Sequence, residues 1–136
     1  MTSVDTNIIF SLLNRRDRNH QLARRAMEEM AQRDVMVIAP IVYAELMASS
    51  DREAILRFLD RAGINVLWEL PREVWNQAGI AFGRYATERQ QGHLPRRLIA
   101  DFVIAAHAEY HSLSVLTFDT TVYHAVYQQL DVIEPR

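Results

Sequence analysis

The chain has 136 residues, a net charge of −2 and 49% hydrophobic residues, which suits a single domain, residues 1–136, around one core. It contains no cysteine, which excludes disulfides, thiolate zinc sites and thiol nucleophiles. All 15 basic residues are arginine, and the absence of lysine excludes a Walker A phosphate loop and a phospho-acceptor receiver site.

The first half of the chain alternates short apolar runs with segments of helical spacing. Gly63 follows such a segment and is predicted to close the helix, because glycine adopts the left-handed conformation that ends many helices. Pro40 is predicted to begin a helix, since proline suits the first helical turn. The predicted elements are a very short strand at Val4, helices over 7–14 and 20–33, a strand over 35–39 and a helix over 41–48.

The second half continues the same alternation, with a strand over 64–70 and a long helix that begins at Pro71. The aromatic residues of this region have strand or helical spacing and are expected in the core rather than in a base-stacking surface: Trp68, Trp75, Phe82 and Tyr85. The remaining predictions are a polar loop over 90–97, helices over 98–110 and 120–129, and strands over 115–117 and 132–133. Strands that alternate with helices predict a central parallel sheet in a three-layer α/β/α fold.

Four carboxylates lie where an apolar run stops or a helix begins: Asp5, Glu45, Asp101 and Asp119. In a parallel sheet, strand ends and helix starts share one edge, and ligands bind at that edge. Each acid alone is typical of a solvated or helix-capping residue, but Glu45 interrupts an apolar run, where a buried charge needs a partner. The order of the four along the chain therefore predicts that they meet in one crevice.

Carboxylates in one crevice repel one another unless a cation joins them, because two charges about 4 Å apart interact by roughly 4 kcal/mol at an effective dielectric of about 20. Mg²⁺ or Mn²⁺ accepts such oxygen ligands and usually keeps waters and substrate phosphate. The sequence therefore predicts a divalent-metal site that acts on phosphodiesters. Asp5 and Asp101 are the expected direct ligands, and Asp5 could bridge two ions. Glu45 is expected to bind directly or through a water, or to orient the attacking water, and Asp119 is expected to complete the metal site.

Several segments together resemble a known family: Val4-Asp5-Thr6-Asn7, Glu45 after the second strand, Asp101 to Ala108, and Leu116-Thr117-Phe118-Asp119 with Tyr123 downstream. They are similar to those of PIN-domain nucleases, and among them to the small VapC-type toxins of prokaryotic toxin–antitoxin pairs. The resemblance implies a PIN-like fold and a Mg²⁺-dependent (or Mn²⁺-dependent) endoribonuclease that cleaves RNA. It also implies a cognate antitoxin protein as inhibitor, and a homodimer.

Other residues are assigned supporting roles. Thr6, Asn7 and Thr117 are expected to orient the carboxylates by hydrogen bonds. Arg96 and Arg97, which precede Asp101, and Arg15 are candidates to guide RNA phosphates toward an acidic centre. Tyr123 and Tyr127 are expected to help pack the last helix.

Two features leave alternatives open. Many relatives carry a further acid at the position of Val122, so the sequence leaves open whether one ion or two bind. His107 and His111 are four residues apart, a metal-ligand spacing, but His107 is expected to be a packed helix residue.

The alternative functions are a PIN nuclease of RNA processing and a catalytically silent module that binds RNA or protein.

Neither the N-terminal segment nor any apolar run is typical of a targeting signal or a membrane span. The absence of cysteine is compatible with a reducing compartment. We therefore expect a cytoplasmic protein with no membrane partner.

Overall fold

The computed structural model, which describes residues 1–90, 92 and 99–136, has a five-stranded sheet at its centre. The strands are β1 (Thr2–Val4), β2 (Met36–Ile38), β3 (Asn65–Val66), β4 (Ser114–Leu116) and β5 (Val132–Ile133). They lie in the order β3-β2-β1-β4-β5, and every neighbouring pair is parallel. The predicted parallel sheet is confirmed, with β1 in the middle.

Seven helices flank this sheet in the described part of the chain. They are α1 (Thr6–Leu13), α2 (His20–Arg33), α3 (Pro40–Met47), α4 (Arg52–Ala62), α5 (Arg72–Gln90), α6 (Ile99–Tyr110) and α7 (Thr120–Val126). The chain moves from β1 outward to β3 and then returns to β4 and β5, and one or two helices connect each strand to the next. The predicted α/β fold is confirmed.

The core lies between the sheet and its helices. The three residues of β1 and those of β2 are buried, and α6 buries every residue from Phe102 to Ala108. These strands are hydrophobic or small on both faces because helices cover both faces of a parallel sheet. Within the described ranges, no helix is both long enough and apolar enough to cross a bilayer.

Strand β3 is much shorter than the predicted strand over 64–70. Its partner β2 ends at Ile38, because Pro40 begins α3 two residues later, and the last ladder bond joins the Leu67 amide to the Ile38 carbonyl at 3.0 Å. Beyond that point the segment is held by α6 instead: the Nε2 atoms of His107 and His111 lie 2.9 and 2.8 Å from the carbonyls of Leu67 and Glu69. Strand length is therefore set by the partner strand.

The prediction that the aromatic residues of this region lie in the core is wrong for both tryptophans. Trp68 is 61% exposed and Trp75 is 50% exposed, whereas Tyr85 is buried and Phe82 packs against the core. Trp68 lies in the segment that leaves the sheet after β3, and its ring contacts Tyr43 edge-to-face at 5.0 Å. The strand spacing assumed for Trp68 does not apply once the strand has ended.

Two glycines in the middle of α5 offer a test of helix stability. An added Cβ at Gly79 or Gly83 would meet no atom within 4 Å, and both residues lie in the exposed part of the helix. Because glycine costs about 0.5–1 kcal/mol relative to alanine inside a helix, Gly79→Ala and Gly83→Ala are each expected to raise the free energy of unfolding by about that amount. Urea unfolding followed by circular dichroism measures it.

Gly63→Ala is the matched control for this prediction. Gly63 closes α4 with a left-handed backbone (φ 68°), which an L side chain adopts at a cost of about 1–2 kcal/mol. This substitution is therefore expected to lower stability, although open space surrounds it as well. A loss of stability in the α5 variants would contradict the assignment of that helix face to solvent.

Candidate active site

Asp5 lies at the junction between the central strand and the first helix. Its amide continues the sheet by donating to the Leu116 carbonyl at 3.0 Å, and its extended backbone then turns into α1. Its Oδ1 accepts a hydrogen bond of 2.7 Å from the Thr6 amide, which caps the helix. The carboxylate is 4% exposed, so a single acid both starts α1 and occupies the carboxyl edge of β1.

The second oxygen of Asp5 is surrounded by side-chain donors from α1, α7 and the residue that follows β4. Oδ2 accepts hydrogen bonds from the Thr117 hydroxyl at 2.6 Å, the Tyr123 hydroxyl at 3.1 Å and the Asn7 amide at 3.4 Å. Thr117 follows β4, which is the neighbour of β1, and Tyr123 lies one helical turn after Asp119. The parallel register thus brings together residues more than 100 positions apart.

Asn7 and Thr117 also fix the turn that carries Asp119. The Asn7 side chain donates to the Thr117 hydroxyl at 3.2 Å and accepts from the Phe118 amide at 3.3 Å. The Asp119 amide donates to the Thr117 hydroxyl at 3.0 Å. Asp119 itself precedes α7 without making a side-chain capping bond, so the capping interpretation of this acid is not what the structure shows.

Glu45 reaches the same edge from α3. Its Oε1 accepts a hydrogen bond of 2.9 Å from the Thr6 hydroxyl, the residue directly after Asp5. The side chain is half-buried on a helix whose Val42 and Leu46 lie in the core. Thr6 therefore links the two acids, with its amide on Asp5 and its hydroxyl on Glu45.

The pKa values of these groups show that the charges act on one another. Burial raises the pKa of Asp5, and the charge of Asp119 adds to this, against the hydrogen bonds from Thr117, Thr6 and Tyr123 that lower it. Burial and then the charge of Asp5 raise the pKa of Glu45. The pKa of Tyr123 is raised well above its ordinary value by burial and by the charges of Asp5, Asp101 and Asp119. Asp5 thus interacts with Asp119 and with Glu45, and the charge of Asp101 acts on Tyr123, which is bonded to Asp5.

Asp101 lies near enough to Tyr123 for its charge to raise the pKa of that hydroxyl. It lies, half-buried, in the first turn of α6, where the helix dipole favours its ionised form. Within the described residues, no three His, Asp or Glu side chains lie close enough together to hold a metal ion among themselves. A cation at this edge would therefore use one or two carboxylates and fill its other positions with water or phosphate oxygens, as Mg²⁺ commonly does.

A family model described as the PIN domain matches residues 3–127. The chain belongs to the PIN domain family. The match includes all four acids and every polar residue that contacts Asp5, and the resemblance predicted from the sequence is confirmed. No curated protein sequence matches the chain significantly.

Solved structures of toxin–antitoxin proteins share this PIN fold. A chain of a toxin–antitoxin complex from Klebsiella pneumoniae is 20% identical with a TM-score of 0.70, and the match covers 100% of this chain and 98% of that one. A chain of VapBC-1 from nontypeable Haemophilus influenzae is 25% identical with a TM-score of 0.63, covering 98% and 96%. VapC20 of Mycobacterium tuberculosis, a toxin that cleaves the sarcin–ricin loop, is 17% identical with a TM-score of 0.64, covering 92% and 95%.

The arginines predicted to guide phosphates are not placed at the site by the described residues. Arg15 is exposed in the turn between α1 and α2. Arg96 and Arg97 lie outside the described residues. Their role in binding RNA stays a prediction.

Tyr123 is the site residue that the sequence interpretation missed. It was expected only to pack the last helix, and it is 1% exposed, but its hydroxyl also contacts Asp5. Its position four residues after Asp119 was the available signal, because residues four apart share one face of a helix. By contrast, His107 is fully buried and bonded to a backbone carbonyl, which confirms the prediction of a packed residue.

Proposed function

We propose that this PIN domain is a Mg²⁺- or Mn²⁺-dependent endoribonuclease and the toxin of a toxin–antitoxin pair. The observation that carries the proposal is the buried carboxylate of Asp5 at the end of the central strand, coupled to the charges of Asp119 and Glu45. A protein that needed only stability would gain by removing this charge, since burial disfavours it. Its presence at a ligand-binding edge of the sheet favours a role in binding a cation.

The donor set fits a hard divalent cation. Oδ1 of Asp5, with at most one further carboxylate from among Glu45, Asp101 and Asp119, would hold it, and carboxylate oxygens are ligands of the kind that Mg²⁺ and Mn²⁺ prefer. When bound, such a cation supplies Lewis acidity to a phosphodiester and makes an attacking water more acidic. Burial raises the pKa values of Asp5 and Glu45, and the charge of a neighbouring acid raises each further. A cation would offset both effects, because it stabilises the ionised carboxylates.

The chain's own residues would position the reacting groups. Thr6 holds Glu45 by Oε1, which leaves Oε2 to accept a proton from the attacking water. Thr117 and Asn7 keep the turn before α7 in place, and with it Asp119.

The toxin role draws on the family and on the shared fold. The structures similar to this chain include VapBC and FitAB toxin–antitoxin complexes, and one is a sarcin–ricin loop cleaving toxin. We propose accordingly an RNA substrate in the cytoplasm, a small antitoxin protein that inhibits the enzyme, and a homodimer. Co-purification with the product of an adjacent small gene tests the antitoxin, and light scattering of the purified chain tests the dimer.

Asp101→Asn is expected to reduce Mn²⁺-dependent RNA cleavage by about tenfold or more, because it removes a charge that would hold the cation. The same change should relieve growth arrest when the chain is induced in cells. Cleavage is measured on total RNA with and without EDTA, followed by sequencing of the new RNA ends. Asp60→Asn, at an exposed acid of α4, is the matched control and should cleave as the parent does.

Cleavage by Asp101→Asn at the parental rate, or parental cleavage in EDTA, would contradict the proposed chemistry. Cleavage without growth arrest would instead favour a nuclease of RNA processing. Circular dichroism of both variants establishes that a loss of cleavage is not a loss of fold.

A further inference from the structure

The two oxygens of Asp5 have different surroundings. Oδ1 accepts a single hydrogen bond, from the Thr6 amide at 2.7 Å. Oδ2 accepts from Thr117 at 2.6 Å and from Tyr123 at 3.1 Å, with the Asn7 amide further away at 3.4 Å. An ionised carboxylate has about four acceptor positions, two on each oxygen. Oδ2 is therefore filled by donors, whereas Oδ1 keeps one open position.

The direction of the bond from Thr117 is determined by its neighbours. A hydroxyl has one hydrogen to donate and two acceptor positions. The Asn7 amide and the Asp119 backbone amide, which can only donate, occupy the two acceptor positions of Thr117 at 3.2 and 3.0 Å. The Thr117 hydrogen must then point to Asp5, the acceptor at 2.6 Å.

The direction of the bond from Tyr123 follows from its burial. The side chain is 1% exposed, and a carboxylate oxygen lies 3.1 Å from its hydroxyl. A buried hydroxyl needs an acceptor for its hydrogen, and an ionised carboxylate can only accept, so the Tyr123 hydroxyl donates to Asp5. Two hydrogens thus cover Oδ2 from the side of β4 and α7.

We propose that Tyr123 and Thr117 restrict Asp5 to one cation-binding position, on Oδ1, so that this PIN domain binds one divalent cation per chain. This inference rests on the proposed metal dependence. A pair of ions about 3.5–4 Å apart needs a carboxylate that they share, and the covered Oδ2 cannot serve as the second ligand. Val122, one turn into α7 and 2% exposed, adds an apolar side chain where a further acid would be needed.

Tyr123 acts in this arrangement as a positioning residue, and Tyr127 provides its matched control. Both tyrosines are buried at α7 or its end, and each hydroxyl donates one hydrogen bond. The partner of Tyr127 is the Phe102 backbone carbonyl at 3.3 Å, whereas the partner of Tyr123 is the Asp5 carboxylate. Phenylalanine removes one buried hydrogen bond in either case, but only Tyr123→Phe removes a hydrogen bond from Asp5.

Calorimetric titration of the full chain with Mn²⁺, without RNA, tests the proposal. The parent is expected to bind one ion per chain. Tyr123→Phe should bind one ion about tenfold more weakly, the lower end of the loss that follows removal of a side chain that orients a metal ligand. Tyr127→Phe should keep parental affinity. Thr117→Ser, which retains the hydroxyl, should also bind as the parent does, whereas Thr117→Val should bind more weakly.

Two ions per chain in the parent, or equal affinity in the parent and Tyr123→Phe, would overturn the proposal. Equal losses of Mn²⁺ affinity in Tyr123→Phe and Tyr127→Phe would also overturn it. The loss would then follow from the removal of any buried hydrogen bond and not from the bond to Asp5. A parent that gives no Mn²⁺-dependent heat would contradict the proposed metal dependence itself. If Tyr123→Phe does not fold by circular dichroism, the contrast between Thr117→Ser and Thr117→Val decides.

Discussion

Replacing Asp5 with asparagine is expected to abolish RNA cleavage and, at the same time, to raise the melting temperature of the metal-free protein. The loss of cleavage should exceed the roughly 10–100-fold that follows removal of a group that only orients a metal ligand, because Asp5 would be a ligand itself. Asparagine keeps an oxygen for the Thr6 amide, so the cap of α1 is retained. Its nitrogen cannot accept from the Thr117 and Tyr123 hydroxyls, so the net gain is the relieved cost of burying the charge less these hydrogen bonds.

The gain in stability follows from the raised pKa of Asp5. Burial disfavours the ionised carboxylate in the folded protein, so the folded pKa lies above the ordinary value of 3.8. A carboxyl group whose pKa is higher in the folded than in the unfolded protein stabilises the fold at pH values below its pKa in the unfolded chain. This contribution is lost as the pH rises through the pKa of the group in the folded protein. The increase in melting temperature caused by Asp5→Asn should therefore be largest at neutral pH and should become smaller as the pH is lowered toward 3.8.

Melting curves in EDTA at several pH values, beside cleavage assays with Mn²⁺, measure both effects. Asp60→Asn is again the control, since an exposed acid should change neither cleavage nor the pH dependence of melting. A lower melting temperature for Asp5→Asn at neutral pH would show that the hydrogen bonds to Oδ2 outweigh the cost of burying the charge. RNA cleavage by Asp5→Asn at the parental rate would show that Asp5 is not part of the catalytic site.

Replacing His107 with alanine is expected to destabilise the protein by about 2–5 kcal/mol, the cost of truncating a large, fully buried side chain. The change also leaves the Leu67 carbonyl without its partner of 2.9 Å, so the segment after β3 loses one of its two attachments to α6. Chemical denaturation measures the loss. His124→Ala, at an exposed position of α7, should have little effect.

His107 should also make stability depend on pH. Burial lowers its pKa below 6.5 and the charge of His111 lowers it further, whereas the bond to Leu67 and the charge of Glu69 act in the opposite direction. The Leu67 carbonyl can only accept, so Nε2 carries the proton, and the buried Nδ1 has no partner among the described residues. A second proton on the ring would therefore be buried without an acceptor.

The unfolded chain consequently takes up a proton before the folded chain does, and the free energy of unfolding should fall as the pH drops below about 6.5. The free energy of unfolding should stop falling on this account once the pH is below the pKa that His107 has in the folded protein. In His107→Ala the slope of stability against pH in this range should be smaller than in the parent. An unchanged slope in the variant would mean that another group titrates there.

The order of elements and the parallel sheet could be predicted because they depend on periodicity and on local signals. Helix α2 begins and ends where the predicted helix does, and Gly63 has the left-handed backbone expected of it. These features are properties of neighbouring residues. The length of β3 is not such a property, because it depends on where β2 ends.

The four acids could be predicted as a group because each lies at an element boundary that local sequence marks. The contact between Tyr123 and Asp5 could not be predicted in the same way, since it depends on the register of β1 with β4 and on the angle of α7. A tyrosine on an apolar helix face has the same spacing in the sequence whether its hydroxyl contacts a carboxylate or water. Only the folded arrangement distinguishes a packing tyrosine from one that orients a candidate metal ligand.

The brevity of the outer strands has a consequence for solubility. Strands β3 and β5 form the two borders of the sheet, and each has only two residues. A long, flat border strand offers unpaired amides and carbonyls to another chain, and proteins that leave one exposed are prone to aggregate. Here the chain leaves the sheet at both borders before such a surface forms. The fold can therefore keep an open five-stranded sheet without offering a template for edge-to-edge association.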